Sequence, residues 1–309
     1  LSGPHNGNFN AAIFGDFTSL DGTGDTEGRL AVQGNYTTTN TGMGAYTVGG
    51  GAPTSTGGLN APQGFDNLVV GGVVNAQVGT VRGNVLYSSA TMLPPFGAGA
   101  FGNPGIYRNV TPSVDWLAAE TYYQNLSTSL SSCSGDAIIA VDVVPANATQ
   151  TIDLANNTGV VVVNLDEWDI DATYNFINWT NANTIVVNVP GADIDVDLAL
   201  QMAIDGNPIS FPIDNATPVG ELDFIEKTLW NFYEASDFDL NSSFFSGSVL
   251  APATTNITTL AGGSINGQVV LGHDVEQSGG FEFHNFCFTG DLSSCLSAPP
   301  STGDLALAK

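Results

Sequence analysis

A hexapeptide of the form apolar-x-Gly-x-Val-apolar recurs along the chain and strongly limits the folds that the chain can adopt. Clear copies occupy residues 81–86, 245–250 and 265–270, and residues 27–32 form a looser fourth copy. The last two copies begin twenty residues apart, which is about the length of one coil in a β-solenoid. In such a coil a glycine lets the chain turn a corner, while the flanking apolar residues stack on those of the next coil. The repeat therefore predicts a β-helix.

Most of the remaining chain consists of short β-branched runs bounded by Gly, Asn or Pro. Examples are residues 68–70, 160–163, 184–189 and 269–271. Continuous runs of this kind are typical of strands that are buried on both faces or stacked in parallel. We therefore expect a mainly β fold, a right-handed β-helix (solenoid)-like domain. Because repeat copies lie at both ends of the sequence, we expect the N-terminal and C-terminal thirds to join in one domain.

One segment, residues 114–131, predicts a long packed α-helix. It contains no Gly or Pro and carries apolar residues at helical spacing. Ser113 is the expected N-cap, and Asp115 lies in the first turn, where the helix dipole favours an acid. Residues 222–235 are a weaker candidate, which reads either as a helix or as a short turn before an extended run.

Basic residues are scarce, and this excludes several classes of partner. The chain has five Lys and Arg against 30 Asp and Glu, a formal net charge of −25. A field of this sign repels nucleic acid and anionic membrane surfaces. No apolar run reaches the roughly 18 residues that a membrane-spanning helix needs, so we expect no membrane insertion. An unpaired acidic surface is typical of secreted proteins and predicts an extracellular location.

Cysteine and asparagine patterns agree with that location. Cys287 and Cys295 are close enough in sequence to form a short disulfide loop, and pairing of Cys133 with either one is equally allowed. No CxxC pair or Cys/His cluster with zinc spacing is present in the sequence. Nine Asn-X-Ser/Thr triplets are candidate glycosylation sites, and they begin at Asn35, Asn109, Asn125, Asn147, Asn156, Asn178, Asn215, Asn241 and Asn256.

An acidic, glycine-rich loop is the candidate metal site. Asp21, Asp25 and Glu27 alternate with small residues in this loop. Because Ca²⁺ takes several oxygen ligands from flexible loops, the segment predicts calcium binding, although it does not match the EF-hand pattern. The alternative is that Glu27 pairs with Arg29 within a turn. No other cofactor is expected.

Three further features are interpreted as structural. The acids of residues 166–171 and 193–197 alternate with apolar residues, which favours strands with one wet face. His284 lies among alternating aromatic residues, and no Gly-x-Ser-x-Gly elbow accompanies it, so we expect a hydrogen-bonded strand residue and no catalytic residue. The Thr-rich run 37–41 suggests ice binding, but an ice-binding array would repeat Thr on successive coils, and only one such stretch is evident.

Four groups of segments occur in the order found in one known family. They are residues 9–18 with 25–35, residues 67–72 with 83–87, the predicted helix, and residues 229–235 followed by 247–252, 265–270 and 282–286. Together these segments resemble the choice-of-anchor A domain of secreted and cell-surface proteins. The resemblance covers residues 9–290, between an N-terminal arm at 1–8 and a C-terminal tail at 291–309 in which we find neither a sorting motif nor a membrane anchor.

The resemblance implies a β-helical, non-enzymatic domain that serves as a structural or adhesive module at an extracellular surface. Because the end coils of a solenoid carry unpaired backbone groups, its terminal segments are candidates for head-to-tail self-association into a filament. The alternative is a monomeric adhesin that binds calcium or carbohydrate, with a surface glycan as its ligand. A β-helical polysaccharide-active enzyme and an ice-binding protein are less favoured.

Overall fold

The computed structural model describes residues 9–21, 23–39, 46–49, 66–76, 80–81, 83–88, 107–109, 114–144, 149–197, 201–209 and 218–296. The helices in these ranges are α1 (Trp116–Ser131) and α2 (Val219–Lys227), with a short 3-10 helix at Ser293–Cys295. The strands before α1 are β1 Phe9–Ile13, β2 Phe17–Ser19, β3 Asp25–Thr26, β4 Arg29–Val32, β5 Tyr36–Thr38, β6 Thr47–Val48, β7 Asp66–Val70, β8 Val74–Ala76, β9 Thr80–Val81, β10 Asn84–Tyr87 and β11 Tyr107–Asn109. The strands after α1 are β12 Ala137–Val141, β13 Thr149–Asp153, β14 Gly159–Leu165, β15 Thr173–Ile177, β16 Ala182–Val189, β17 Asp193–Val196, β18 Gln201–Ile204, β19 Asn207–Pro208, β20 Thr228–Phe232, β21 Asp237–Ser246, β22 Ser248–Ala251, β23 Thr258–Asn266, β24 Val269–Leu271, β25 Val275–Ser278 and β26 Glu282–His284.

The strands form a solenoid whose coils pass through three faces. β1, β2 and β3 form one coil and lie on the first, second and third face, respectively. β4, β5 and β6 form another coil in the same way, and the equivalent strands of the two coils pair in parallel. Between β18 and β19 the pairing is antiparallel. The expected mainly β, β-helix-like architecture is thus confirmed, whereas the right-handed winding stays a prediction.

Strand order in the first face differs from strand order in the chain. This sheet runs β11-β10-β7-β4-β1-β24-β22-β20-β16-β14-β12. The described chain therefore starts in the middle of the stack, builds outward to β11, resumes beyond α1 at the opposite end with β12, and returns to the middle. Ala11 pairs with Val269 where the two halves meet, so the expected joining of the N-terminal and C-terminal thirds is confirmed.

The hexapeptide copies lie on successive coils in matching register. Phe245 pairs with Ile265, and Val249 pairs with Val269. Gly247, inside the first of these copies, has a φ of 112°, a conformation that glycine adopts far more readily than other residues. This glycine turns the corner between β21 and β22, as the repeat predicts.

The outside of the first face is covered by α1. Its Ala119, Tyr123, Leu126 and Leu130 are buried against apolar side chains from both halves of the stack. A helix of 16 residues is about 24 Å long, which is enough to cross about five strands at their usual spacing of about 4.8 Å. The larger apolar core fills the interior of the solenoid.

The start of α1 differs from the prediction. The helix begins at Trp116 and its N-cap is Asp115, whose carboxylate accepts a hydrogen bond from the backbone N of Ala118 at 3.0 Å. Ser113, the expected cap, lies outside the described residues. The weaker candidate at 222–235 contains both a helix and an extended run, because α2 ends at Lys227 and β20 begins at Thr228.

The acidic segment 166–171 is not a strand, which corrects the prediction. It forms the turn between β14 and β15. In this turn aspartate side chains accept hydrogen bonds from backbone amides. Asp166 accepts a bond from the amide of Val143 at 2.7 Å, and Asp169 accepts one from the amide of Asp171 at 3.0 Å. The second acidic segment does form a strand, β17, with alternating exposed and buried residues.

A disulfide bond joins Cys133, just after α1, to Cys295 in the 3-10 helix. The sequence allowed this pairing without selecting it. The short loop between Cys287 and Cys295 does not form, and Cys287 is half-buried outside the bond. The disulfide therefore ties the end of the helix to the C-terminal segment. In the described part of the chain, no helix is long and apolar enough to cross a membrane.

Candidate binding face

The second face of the solenoid is a continuous stack of seven parallel strands that faces solvent. It comprises β8, β5, β2, β25, the first part of β23, the first part of β21, and β17. We call it the open face. In each strand two buried residues flank one that is half-buried or exposed. The period of two along a strand therefore fixes which side chains a partner can reach.

These outward residues form a single row across the open face, which we call the outer ladder. In strand order its members are Asn75, Thr37, Thr18, Glu276, Thr259, Asp239 and Asp195. Because neighbouring strands lie about 4.8 Å apart, the row is about 29 Å long. All of its members are polar, so it presents regularly spaced hydrogen-bonding groups.

Charge changes along the outer ladder. The β8 end, with Asn75, is neutral, whereas the β17 end, with Asp195, is acidic. Burial, followed by the charges of Asp237 and Asp195, raises the pKa of Asp239, although hydrogen bonds from Thr259 act in the opposite direction. The neutral end thus offers both donors and acceptors, whereas the carboxylates of the acidic end offer mainly acceptors.

A row of Asp and Asn side chains fixes one edge of the open face. Asp274 accepts the backbone amide of Asp16 at 2.7 Å. Asp16 in turn accepts the amide of Asn35 at 2.6 Å, and Asn35 accepts the amide of Val73 at 2.9 Å. Each bond links one coil to the next. A connected network of this kind rigidifies the structure that carries it, so the spacing of the outer ladder is set before any partner binds.

The other two faces offer less uninterrupted surface. On the first face, α1 and the segment joined to it by the disulfide cover the strands. The third face has a parallel stack of six strands, formed by the later parts of β21 and β23 followed by β26, β3, β6 and β9, and a separate short sheet β13-β15-β18 that ends at the antiparallel strand β19. Within the described residues, the open face is therefore the longest exposed parallel stack.

The Thr-rich run identified in the sequence contributes one residue to the outer ladder. Thr37 points outward, Thr38 is buried, and residues 40–41 lie outside the described residues. Sequence reasoning missed Thr18 and Thr259, which are remote from this run in the chain. The usable signal was the single polar residue between two inward-facing residues of each short strand.

The predicted calcium ligands do not converge on one point. The carboxylate of Asp21 accepts the amide of Gly279 at 2.6 Å, and that of Glu27 accepts the amide of Asn285 at 2.9 Å. Among the residues that the structure describes, no group of three or more His, Cys, Asp and Glu side chains is arranged to hold a metal ion. Calcium binding by Asp21, Asp25 and Glu27 stays a prediction, which a melting temperature unchanged by EDTA would contradict.

His284 is a hydrogen-bonded strand residue, as the sequence predicts, and its lack of a catalytic role stays a prediction. It is the last residue of β26, and Phe281 and Phe283 beside it are buried. Its Nδ1 lies 2.6 Å from Oδ1 of Asn266, and its Nε2 lies 2.9 Å from Oε2 of Glu282. Both ring nitrogens are therefore engaged within the third face.

Most of the described sequons are accessible. The sequon asparagines that are exposed are Asn35, Asn125, Asn156, Asn178, Asn241 and Asn256. Asn109 is described only as part of β11, and Asn147 and Asn215 lie outside the described residues. Exposure is what a glycan requires of its acceptor, and glycosylation of the nine sites stays a prediction.

One known family matches nearly the whole chain. The family described as "Putative Ice-binding-like adhesive domain" matches residues 3–285. The chain belongs to this family. Membership in the ice-binding-like adhesive family agrees with the adhesin-like interpretation of the sequence. The family description does not name the choice-of-anchor A domain. Among curated proteins, none matches the chain.

Solved structures similar to this adhesive domain include ice-binding proteins. One, from the Antarctic ascomycete Antarctomyces psychrotrophicus, is 10% identical with a TM-score of 0.39 over 92% of this chain and 96% of that one. The ice-binding protein LeIBP from an Arctic yeast is 12% identical with a TM-score of 0.38 over 90% of each chain. A third, from an Antarctic biological consortium, is 8% identical with a TM-score of 0.33 over 89% of this chain and 86% of that one. Values this low carry no inference about function.

Proposed function

We propose that this protein is a secreted, non-enzymatic adhesive module that contacts an extended partner surface through the outer ladder of the open face. The observation that carries the proposal is the alignment of seven polar side chains in register on a hydrogen-bonded stack. Membership in an adhesive family supports the same role.

Regular spacing favours a partner that is itself repetitive. Each contact of a polar ladder is weak, because a hydrogen bond exchanged with water contributes only about 1 kcal/mol net. Seven groups at a fixed spacing can all form hydrogen bonds only when the partner presents matching groups at the same spacing. Because the ladder is rigid, little conformational entropy is lost when it binds. A surface glycan or another ordered, hydrogen-bonding surface meets this requirement.

A matched pair of variants tests which face binds. Thr18→Tyr places a bulky side chain near the middle of the outer ladder, and Thr151→Tyr places the same side chain at an exposed position on the third face. Retention of the labelled protein is measured on cellulose, chitin and agarose beads and on ice. On the surface that retains the wild type, we expect Thr18→Tyr to weaken binding about tenfold, or about 1.4 kcal/mol, and Thr151→Tyr to leave it unchanged. Equal retention of both variants, or no retention of the wild type on any surface, would contradict the proposal.

Ice is the second candidate partner. Thr18 and Thr37 are neighbours on adjacent strands of the outer ladder, which provides the repetition that a single Thr-rich run lacks, and the family description includes ice-binding-like proteins. Thermal hysteresis at micromolar concentration that Thr18→Tyr abolishes would support this candidate. Retention on polysaccharide without thermal hysteresis would leave adhesion alone.

Two finer assignments are part of the proposal. The order of the sequence segments supports membership in the choice-of-anchor A group, and with it an extracellular or cell-surface location.

Self-association into a filament is supported by β12, which in the described residues pairs with β14 alone and carries Ile138 at 55% exposure. The predicted arm at 1–8 and most of the tail, 297–309, lie outside the described residues. Negative-stain microscopy at high concentration checks self-association, and a uniformly monomeric protein would contradict it.

A further inference from the structure

The sheet of the first face ends in an edge strand at each end. In the described residues, β12 at one end pairs with β14 alone, and β11 at the other end pairs with β10 alone. An edge strand presents backbone N–H and C=O groups that can pair with a strand of another molecule. Both ends of the first face are therefore candidate contact sites.

A single register row runs through all eleven strands of this sheet. It begins at Ala140 on β12, passes through Ala12 where the two halves of the chain meet, and ends at Arg108 on β11. Every neighbouring pair of strands in the sheet is parallel. A second copy in the same orientation would continue the row, with its Arg108 position beside Ala140 and its β11 parallel to β12.

Apolar residues are exposed at the β12 end of the sheet. Ile138 on β12 and Val144 just after it are each more than half exposed, and Ala140 between them is exposed as well. Proteins usually protect an edge strand with charged residues or a covering element, because an exposed apolar edge promotes pairing between molecules. The β12 end therefore has the surface of a strand that another molecule covers.

Apolar surface is also exposed towards the β11 end, on the side of the sheet that α1 covers. A Cβ added to Gly71, just after β7, would lie 2.9 Å from Nε1 of Trp116, so α1 begins towards this end. Leu117, the next residue of the helix, is largely exposed. Ile138 lies on the same side, because its register partner Val162 belongs to the apolar cluster beneath α1. Two copies stacked end to end thus bring apolar groups towards each other on one side of the sheet.

The charges of the two edge strands favour contact between unlike ends. Exposed Asp136 and Asp142 flank β12, whereas β11 contains Arg108, one of only five Lys and Arg in the sequence. In the continued register row, the Arg108 position of the next copy is two residues from that of Asp142. Two β12 ends in contact would instead bring the aspartates of both copies together, and like charges in an interface are unfavourable.

We propose that the protein assembles head to tail by pairing β11 of one copy with β12 of the next in one continuous parallel sheet. This inference rests on the self-association in the proposed function and names its contact surfaces; it does not involve the outer ladder. Because the contact joins unlike ends and does not close, its repetition gives a filament. Eleven strands per copy at about 4.8 Å predict an axial repeat of about 53 Å.

Site-specific cross-linking of the full-length protein tests which ends meet. Ala140→Cys and Arg108→Cys are each made in a Cys287→Ser background, so that the introduced thiol is the only one outside the native disulfide. A short bismaleimide is added at about 0.5 M NaCl, where repulsion between the acidic bodies is screened. We expect covalent dimers when the two variants are mixed and none from either variant alone. Dimers from one variant alone, or no dimers in the mixture, would overturn the proposal.

A matched pair of lysine variants tests the edge of β12. Ile138→Lys places a charge on the edge strand, and Val219→Lys makes the same kind of change at an exposed apolar residue on α2. Ultracentrifugation measures the lowest concentration at which filaments form a pellet. We expect Ile138→Lys to raise this concentration about tenfold, the factor that corresponds to about 1.4 kcal/mol, because a charged edge opposes strand pairing. Val219→Lys should leave it unchanged, and equal values for the two variants would contradict the proposal.

Electron microscopy of the wild-type protein covers the case in which Ile138→Lys fails to fold, and it separates this inference from the proposed function. Filaments with an axial repeat of about 53 Å are the expected result. Filaments with a different repeat would overturn this inference and leave self-association standing. A protein that stays monomeric would overturn both, whereas retention on beads through the outer ladder would be unaffected.

Discussion

Replacement of Asn231 by alanine should reveal how α1 is attached to the solenoid. Asn188 and Asn231 lie on adjacent strands of the first face and are stacked in register beneath the helix. The fully buried Asn231 donates through Nδ2 to the carbonyl of Ser127 at 2.9 Å and to Oδ1 of Asn188 at 2.8 Å. Its Oδ1 accepts from Oγ of Ser127 at 2.6 Å. One side chain thus makes two hydrogen bonds to the helix and one to the neighbouring strand.

The cost of Asn231→Ala follows from those three bonds. Each buried hydrogen bond contributes about 1 kcal/mol net, and a buried partner left without its bond costs about 1–3 kcal/mol. The variant leaves groups of Ser127 and Asn188 without this partner and also opens a small cavity. We therefore expect a loss of about 3–5 kcal/mol, which is a large share of the roughly 5–15 kcal/mol that stabilises a typical domain.

Urea unfolding followed by circular dichroism measures this loss, and Asn164→Ala is the matched control. Asn164 is half-buried on the next strand and accepts one bond, from Nδ2 of Asn188 at 2.8 Å. The control should therefore cost only about 1 kcal/mol. If the two variants lose equal stability, or if Asn231→Ala loses less than about 1 kcal/mol, the network does not attach the helix as described.

Two further perturbations have expected outcomes. Replacing both Cys133 and Cys295 by serine should lower the free energy of unfolding by about 2–5 kcal/mol, because the bond closes a long loop, whereas Cys287→Ser should leave it nearly unchanged; both are read from urea midpoints. Gly247→Ala forces alanine into a positive φ and brings its Cβ within 3.0 Å of an indole ring, so it should destabilise by about 1–3 kcal/mol from backbone strain alone and by more in total. Gly206→Ala, also at positive φ but with no atom within 4 Å of the added Cβ, should cost less, and an equal cost would show that the contact has no effect.

Local sequence rules predicted the parts of the fold that depend on neighbouring coils. The copies at 245–250 and 265–270 pair in register because they are one coil apart, so their spacing carries the information. The same rules failed at 166–171, where alternation resembles a strand but aspartate side chains bond to backbone amides and form a turn. They also shifted the N-cap from Asp115 to Ser113, because both residues are good caps and only the geometry selects one.

Contacts between distant segments were beyond such rules. The disulfide between Cys133 and Cys295 depends on where α1 ends on the first face, which no spacing in the sequence reveals. The outer ladder brings Thr18 beside both Thr37 and Glu276. Thr18 and Glu276 come from opposite ends of the chain. The sequence could therefore identify a Thr-rich run but could not predict the continuous face to which it belongs.

The position of β1 in the middle of the stack has a consequence for the order in which the protein can fold. During synthesis β1 emerges before the other described strands, and β4 can pair with one of its edges soon afterwards. Its other edge pairs with β24, so that edge has no native partner until β24 has been made. Contacts between such distant segments slow folding, and an exposed strand edge is prone to aggregate in the meantime. Although β1 precedes the other described strands, it is therefore among the last of them to be fully paired.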